Sequence, residues 1–140
     1  MKTISDIMIT ELFTLTPQCT LLDAERLMRE HQVRHIPIID NNRRLVGLLS
    51  QKEFLREAFR ITDKFGAHHL QDYFSRTEIG SCISADITTV APGVSLKAAG
   101  ETLRREKQGC LLVADADDKL IGIVTSQDFV RLAIRLLESD

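Results

Sequence analysis

Two stretches of the sequence decide the fold: Gly47-Leu-Leu-Ser-Gln-Lys-Glu53 and Gly122-Ile-Val-Thr-Ser-Gln-Asp128. Each is a short apolar run that ends in a hydroxyl residue, with a carboxylate three positions later and apolar residues at helical spacing beyond it. This pattern predicts a strand that leads directly into a helix, with the hydroxyl at the N-cap. Unpaired backbone N–H groups and the positive end of the helix dipole lie at the same point, so a phosphate suits it as a ligand.

The same spacing is also that of a capping box, which satisfies backbone donors and binds no ligand. One copy alone favours the capping interpretation. The presence of two copies favours a binding site more strongly, because the similarity extends far beyond the motif.

The internal repeat covers most of the chain, since a shift of 75 residues aligns residues 4–59 with 79–134 without a gap. Identical pairs include Pro17/Pro92, Gly47/Gly122 and Phe54/Phe129. We interpret the repeat as a duplication that forms a pseudo-symmetric pair. The predicted boundaries are 1–61 for the first unit, 62–78 for a connector and 79–140 for the second unit.

Composition excludes several classes of protein. A chain of 140 residues with 44% hydrophobic and 27% charged residues is typical of a globular protein with one core, or with two half-size units that share one. No apolar window reaches the roughly 18 residues that span a bilayer, and the start lacks the apolar core of a signal peptide, so we expect a cytoplasmic protein. A net charge of −2 without a long basic run argues against binding to nucleic acid or to a membrane.

The three cysteines, Cys19, Cys82 and Cys110, are odd in number and form no Cys-x-x-Cys pair. This spacing argues against a disulfide framework and against a structural zinc site. We expect them to be small buried or half-buried apolar residues.

Hydrophobic periodicity predicts the order β-α-β-β-α in each unit, and therefore an α/β (α+β) fold. In the first unit we expect a strand over 12–17, a helix capped by Thr20, strands over 33–40 and 45–49 joined by a tight turn, and a helix over 51–61. In the second unit we expect strands near 87–91, 110–115 and 120–124 and helices near 96–107 and 126–138. The first unit's second helix is predicted to turn four residues inward: Phe54, Leu55, Ala58 and Phe59.

The connector contains His68, His69 and Asp72, which would share one face of a helix and form a weak constellation for a divalent metal. Polar residues on a connector are usually solvated, so we assign no metal site. Tyr73 and Phe74 are expected to anchor the connector to the core.

With the strand His35-Ile-Pro37 and the two Gly-x-x-[Ser/Thr]-x-x-acid ends, the duplicated β-α-β-β-α order resembles a tandem pair of CBS domains. The family is named after cystathionine β-synthase, and the pair is also called a Bateman module. The resemblance implies two units that pack through their sheets about a pseudo-two-fold axis. It also implies two clefts, which in many members bind AMP, ADP, ATP or S-adenosylmethionine as a regulatory ligand rather than as an obligatory cofactor.

Carried over residue by residue, the resemblance implies that the better cleft combines residues of both units. The second unit would supply Ile123, Thr125, Gln127 and Asp128, and the first unit would supply Ser5, Met8, Thr10, Val33, Arg34 and His35. Asp128 would accept hydrogen bonds from two ribose hydroxyls, while Thr125 and the helix N-terminus would meet phosphate. Val33 and Ile123 would flank the adenine, and Arg34 would add positive charge. A solvated arginine and a strand histidine bonded to backbone remain the alternatives for Arg34 and His35.

The second cleft departs from the family pattern. Its acid is Glu53, one methylene longer than aspartate, and Gln108, Gly109 and Cys110 stand where the first unit has residues 33–35. Glutamate is the better capping-box residue. We therefore expect this cleft to bind weakly, to take a different ligand or to stay empty, with Ser50 and Glu53 mainly forming a cap.

The sequence contains none of the motifs that usually accompany catalysis, so we expect no enzyme activity. The first hypothesis is a ligand-sensing regulatory module that passes a change in packing to an effector protein. The alternative is a dimerisation or interaction protein with vestigial clefts. A homodimer is expected in either case, formed through apolar residues of the outer helices: Phe54, Phe59, Phe129, Ile134 and Leu137.

Overall fold

The computed structural model describes residues 2–138. Its helices are α1 (Leu21–His31), α2 (Gln51–Phe65), α3 (Leu70–Arg76), α4 (Leu96–Arg105) and α5 (Ser126–Glu138). Its strands are β1 (His35–Ile39), β2 (Leu45–Ser50), β3 (Thr89–Val90), β4 (Cys110–Ala114) and β5 (Leu120–Thr125). Short 3-10 turns lie at Ile4–Asp6, Ala67–His69 and Ile79–Ser81. The predicted α+β class is confirmed.

Two compact units make up the chain, and their boundaries differ from those of the sequence repeats. The central unit is Phe13–Asp86, and the terminal unit contains the residues up to Leu12 together with those from Ile87 onward. Each compact unit therefore holds the body of one repeat and the N-terminal segment of the other. The boundaries predicted at residues 61 and 78 mark the duplicated segments of sequence rather than these units.

An antiparallel hairpin forms the centre of each unit, as predicted. In the central unit β1 pairs with β2, with Ile36 opposite Leu49, and in the terminal unit β4 pairs with β5, with Leu111 opposite Val124. Both pairings carry an irregularity at the equivalent point, after Ile38 and after Val113. The four residues of the two cited pairs are fully buried, so the hairpins contribute directly to the two cores.

The first predicted strand is present in one repeat and nearly absent from the other. β3 runs parallel to β4, whereas in the central unit only Leu15 makes the equivalent contact, opposite Ile38. The prediction of a strand over 12–17 is therefore wrong beyond one residue. The Gln108 side chain marks a difference between the two repeats, because it bonds the backbone N–H and carbonyl of Thr88 next to β3, while its counterpart Val33 has no polar group.

The N-terminal segment of each repeat adds an antiparallel bridge to a hairpin. Ile9 and Ile123 exchange two backbone hydrogen bonds of 2.9 and 3.0 Å, and Leu48 and Ser84 exchange two of 3.1 and 3.4 Å. The two bridges occupy equivalent positions of the repeat. In the terminal unit this bridge brings residues from the start of the chain beside the end of β5.

Gly122 and Gly47 allow these N-terminal segments to approach the strands β5 and β2. A Cβ on Gly122 would lie 2.4 Å from the Met8 sulfur, and a Cβ on Gly47 would lie 2.5 Å from Ile83 Cδ1. Both distances are too short for any side chain to be accommodated without a shift. The glycine at the start of each motif is therefore a packing requirement.

The connector forms part of the central unit. Phe74 is 4% exposed and its ring centre lies 5.1 Å from that of Phe54, while Tyr73 stacks on Phe65 at 4.3 Å. The predicted anchoring role of Tyr73 and Phe74 is confirmed.

The exposed faces of the helices differ from the prediction in α2. Leu55 and Phe59 were expected to face inward but are 44% and 71% exposed, while Phe54 and Ile61 are buried. The inward stripe follows residues 54, 58 and 61, and each residue of an α-helix is rotated by about 100° from the one before it, so positions 55 and 59 turn outward. In α5 the large exposed residues are Val130, Ile134, Leu136 and Leu137. Within residues 2–138 no helix combines the length and the apolar character needed to cross a membrane.

Candidate functional site

Asp128 is the most unusual side chain at the start of α5. It lies in the first turn, directly after the strand-to-helix junction at Thr125, and is 6% exposed. Among the described residues it is the only polar or charged one classed as buried. A buried carboxylate requires hydrogen-bond partners to offset the loss of water.

Two groups of the terminal unit satisfy the Asp128 carboxylate. Its Oδ2 accepts the backbone N–H of Thr125 at 2.8 Å, and its Oδ1 accepts from Nη1 of Arg131 at 3.0 Å. Because an ionised carboxylate has about four lone-pair positions, roughly two remain for another donor. Asp128 can therefore still accept hydrogen bonds from a bound molecule.

The Thr125 hydroxyl has no hydrogen-bond partner among residues 2–138, although the backbone of the same residue is bonded to Asp128. The N–H of Asp128 likewise meets no side-chain acceptor in this part of the chain. A hydroxyl and the N–H groups of a helix start are donors suited to an anion. The start of α5 thus offers donors beside the buried acceptor Asp128.

Apolar residues lie on β5 just before this junction and on the chain segment bridged to it. Ile123 and Met8 are half-buried, and Ile9, bridged to Ile123, is 41% exposed. Ser5 and Thr10 are exposed in the same compact unit, and the Ser5 hydroxyl lies 2.9 Å from that of Thr3. Seven predicted site residues are thereby placed in the terminal unit: Ser5, Met8, Thr10, Ile123, Thr125, Gln127 and Asp128.

The remaining predicted residues of the better cleft, Val33, Arg34 and His35, lie in the central unit around the start of β1. Arg34 is exposed and its carbonyl accepts the N–H of Gln51 at 2.8 Å. His35 is half-buried and stands opposite Ser50 in the hairpin. The role of these three residues in ligand binding stays a prediction.

The equivalent motif in the central unit has a different hydrogen-bond pattern. The Ser50 hydroxyl accepts the N–H of Glu53 at 3.2 Å and donates to Glu53 Oε1 at 3.0 Å. Ser50 is thus the N-cap of α2, and its hydroxyl is occupied on both sides. This arrangement agrees with the expectation that Ser50 and Glu53 mainly form a cap.

Gly109 and Cys110 differ strongly from Arg34 and His35, their counterparts in the first repeat. Gly109 adopts a left-handed conformation with φ of 87°, and Cys110 is fully buried. Burial raises the pKa of the Cys110 thiol from 9.0 to about 12. A fully buried, protonated thiol argues against a side-chain role for Cys110 in the second cleft. Cys19 and Cys82 are half-buried, as expected.

The connector histidines form no metal centre with Asp72. His68 and His69 have ring centres 4.2 Å apart, but Asp72 is paired with Arg76 at 3.1 Å. No group of three or more His, Cys, Asp or Glu residues suited to a metal occurs in the described chain, residues 2–138.

Sequence reasoning missed the contacts of two polar side chains, Arg131 and Gln108. Arg131 follows Asp128 by three residues, a spacing at which helix side chains meet, so this ion pair had a signal in the sequence. Gln108 bonds Thr88 twice and also donates to the carbonyl of Cys110 at 2.9 Å. The Gln108 contacts span 20 positions of sequence and had no comparable signal.

Comparison with known proteins identifies the family of the repeat. The family model of the CBS domain matches residues 4–60 and 78–135, the two copies of the repeat. A structure from Vibrio cholerae, whose protein carries the provisional name acetoin utilization protein (AcuB), is 36% identical with a TM-score of 0.79. The alignment covers 97% of this chain and 93% of the Vibrio cholerae chain.

Two structures of CBSX2 are similarly close. The CBS-pair protein CBSX2 from Arabidopsis thaliana is 30% identical with a TM-score of 0.83, covering 97% of this chain and 96% of that chain. A structure of CBSX2 in complex with AMP is 31% identical with a TM-score of 0.80, covering 96% and 97%.

Larger enzymes contain a similar segment. An inosine-5'-monophosphate dehydrogenase from Halalkalibacterium halodurans is 30% identical over 125 residues, and a homoserine O-acetyltransferase from Methanohalobium evestigatum is 26% identical over 129 residues. This chain spans only 23% and 24% of their lengths. Because the CBS family model matches most of the sequence, in both copies of the repeat, the chain belongs to the CBS domain family as a tandem CBS pair.

Proposed function

We propose that this CBS pair is a regulatory module that binds an adenosine nucleotide at the start of α5. The observation that carries the proposal is the buried Asp128 carboxylate, which keeps acceptor capacity beside the unbonded Thr125 hydroxyl. Asp128 accepts the ribose hydroxyls, and Thr125 with the first N–H groups of α5 receives the phosphate. Ile123 and Met8 supply apolar contact for the base.

Two comparisons support this proposal. CBSX2, which is 31% identical over nearly the whole chain, has been solved with AMP. The enzymes that share the segment devote about a quarter of their length to it, which fits a regulatory attachment rather than a catalytic centre. The proposed module therefore catalyses no reaction itself, and an effector protein reads the change that the nucleotide produces.

The first repeat contributes no second site of equal strength in this proposal. The Ser50 hydroxyl is occupied by Glu53 on both sides, and Cys110 is buried. One nucleotide per chain is therefore the expected stoichiometry.

The experiment is a calorimetric titration of the wild-type chain with AMP, ADP, ATP and S-adenosylmethionine, accompanied by thermal unfolding. Ligand at about 100 times its dissociation constant stabilises the folded state by roughly 2.7 kcal/mol, which raises the midpoint by several degrees. Binding of at least one phosphorylated nucleotide with one site per chain is the expected result. Absence of binding and of any shift with all four compounds contradicts the proposal.

A homodimer is the second part of the proposal, and it also serves the alternative in which the protein acts mainly as an interaction module. Leu55 and Phe59 of α2 and their counterparts Val130 and Ile134 of α5 are 44%, 71%, 48% and 53% exposed. Two apolar stripes at equivalent positions suit the self-complementary contact of a two-fold dimer. The residues proposed from sequence need correction here, because Phe54 is buried and Phe129 is half-buried.

Sedimentation equilibrium at micromolar concentration tests the dimer, for which we expect twice the chain mass of 15.8 kDa. The double substitution Phe59→Glu with Ile134→Glu should give a folded monomer, since both side chains are exposed. Gln71→Glu, which adds a negative charge at an exposed position outside the stripes, is the control. A monomeric wild-type chain contradicts the dimer but leaves nucleotide binding to its own test.

A further inference from the structure

Arg131 stands apart from the other ion-paired residues because its partner is buried. Its side chain is 64% exposed, whereas that of Asp128 is 5% exposed, and Nη1 lies 3.0 Å from Oδ1. The guanidinium is largely exposed but the carboxylate that it bonds is buried, so removing Arg131 takes away one of the two partners of a buried charge. Its main effect falls on the Asp128 carboxylate.

Both oxygens of that carboxylate are fixed before any ligand arrives. The N–H of Thr125 holds Oδ2 and Arg131 holds Oδ1, so the Asp128 side chain is restrained in one orientation. About two lone pairs remain in defined directions. Restraining a side chain in its bound conformation lowers the entropic cost of binding.

The first repeat supplies a natural contrast. Arg56 follows Glu53 by three residues, as Arg131 follows Asp128, but across residues 2–138 Arg56 makes no ion pair. The Glu53 carboxylate accepts from the Ser50 hydroxyl instead. The same arginine position is thus used in one repeat and unused in the other.

From this contrast we infer that Arg131 is a positioning residue for ribose recognition: it orients Asp128 to accept the two ribose hydroxyls. The inference rests on the proposed nucleotide site. Arg131 acts through Asp128, so its contribution depends on the hydroxyls of the ligand and not on its phosphate or base.

The test compares AMP with 2′,3′-dideoxyadenosine monophosphate, which keeps the base and the phosphate but lacks both hydroxyls. Both ligands are titrated calorimetrically into wild type, Arg131→Ala, Arg131→Lys and the matched control Arg56→Ala. Arg131→Ala should weaken AMP by about threefold to tenfold, the range expected for ordering one side chain on binding, and leave the dideoxy analogue unchanged. Arg131→Lys should recover part of the loss, and Arg56→Ala should bind both ligands as wild type does.

The possible outcomes distinguish a failure of this inference from a failure of the proposed nucleotide site. If wild type binds AMP and Arg131→Ala weakens both ligands equally, the positioning role is overturned, because Arg131 would then contact phosphate or support the fold. Unchanged or tighter AMP binding in Arg131→Ala overturns it as well. Wild type that binds neither ligand overturns the nucleotide site itself, and the positioning role with it.

Discussion

The two strand-to-helix junctions have the same residue spacing, but each forms only one half of a capping box, and the halves differ. At the start of α2 the Ser50 hydroxyl accepts the N–H of Glu53, which is the hydroxyl half of the box. At the start of α5 the Asp128 carboxylate accepts the N–H of Thr125, which is the carboxylate half. One junction therefore consumes its hydroxyl, and the other leaves it available.

The length of the acid does not by itself explain this difference, because Thr20 and Asp23 at the start of α1 have the same residue types and spacing as Thr125 and Asp128 and form both halves of the box. The longer Glu53 side chain takes the Ser50 hydroxyl as its donor, whereas the shorter Asp128 reaches the backbone N–H of Thr125. A duplicated motif can thus have its hydroxyl fully engaged in one copy and available in the other, and the proposed binding site uses the available one. The following changes test how far the two copies differ.

The glycines at the start of the motifs should give the largest effect. In Gly47→Ala the new Cβ meets Ile83 at 2.5 Å and the backbone oxygen of Ser84 at 3.0 Å, whereas in Gly122→Ala its three nearest atoms, at 2.4 to 3.1 Å, all belong to the Met8 side chain. Overpacking typically costs about 1–3 kcal/mol. We expect a loss near 3 kcal/mol for Gly47→Ala and near 1 kcal/mol for Gly122→Ala, measured by urea unfolding; the reverse order would contradict the assigned contacts.

Gln108 should be the next most sensitive position. Gln108→Ala removes three hydrogen bonds and leaves the N–H and carbonyl of Thr88 without that partner, which should cost about 2 kcal/mol. The exposed Gln71→Ala is the control and should stay within about 0.5 kcal/mol of wild type. Faster hydrogen exchange at Thr88 should accompany the loss, and unchanged exchange there would argue against the bonding scheme.

Much of the fold could be predicted from the sequence because its signals are local or repeated. The α-β-β-α order of both repeats, the first strand of the second repeat and Thr20 as the cap of α1 follow from periodicity and spacing, and all three are confirmed, whereas the first strand of the first repeat is not formed. The outward turn of Leu55 was missed because four apolar residues occur within six positions of α2, and the pattern alone does not say which of them form the inner stripe. The return of the first residues of the chain to β5 depends on a pairing between Ile9 and Ile123, distant in sequence.

The candidate site was predictable in part for the same reason. Asp128 and Thr125 were identified from their spacing, whereas the occupancy of the Ser50 hydroxyl depends on side-chain rotamers that spacing does not determine. The burial of Cys110 was expected for an unpaired cysteine, whereas its contrast with the half-buried counterpart His35 depends on local packing that the spacing does not determine.

The Cys110 thiol should make stability depend on alkaline pH. Its pKa is raised from 9.0 to about 12 in the folded chain, so above pH 9.0 the unfolded chain releases the proton while the folded chain retains it. Stability is therefore lost as the pH rises from 9 toward 12, by about 1 to 1.5 kcal/mol at pH 10. Cys110→Ala should show a smaller loss between pH 8 and 10 than wild type; equal losses would show that the thiol does not contribute.

The two hydroxyls should give the smallest difference in stability. Ser50→Ala removes an N-cap and should cost about 1 kcal/mol, while Thr125→Ala removes a hydroxyl without a partner in the described chain and should cost less than about 0.5 kcal/mol. Chemical unfolding of both variants measures this difference. A larger loss in Thr125→Ala would mean that the two junctions are capped alike.

Titration of AMP into Asp128→Ala and Glu53→Ala, beside wild type, tests the central claim that the second junction binds and the first one caps. Asp128→Ala loses a charged acceptor for ribose and should weaken AMP by about 1.5–3 kcal/mol, or roughly tenfold to a hundredfold. Glu53→Ala should bind AMP as wild type does and unfold at a lower urea concentration. Equal loss of affinity in both variants, or a greater loss in Glu53→Ala, would contradict the account.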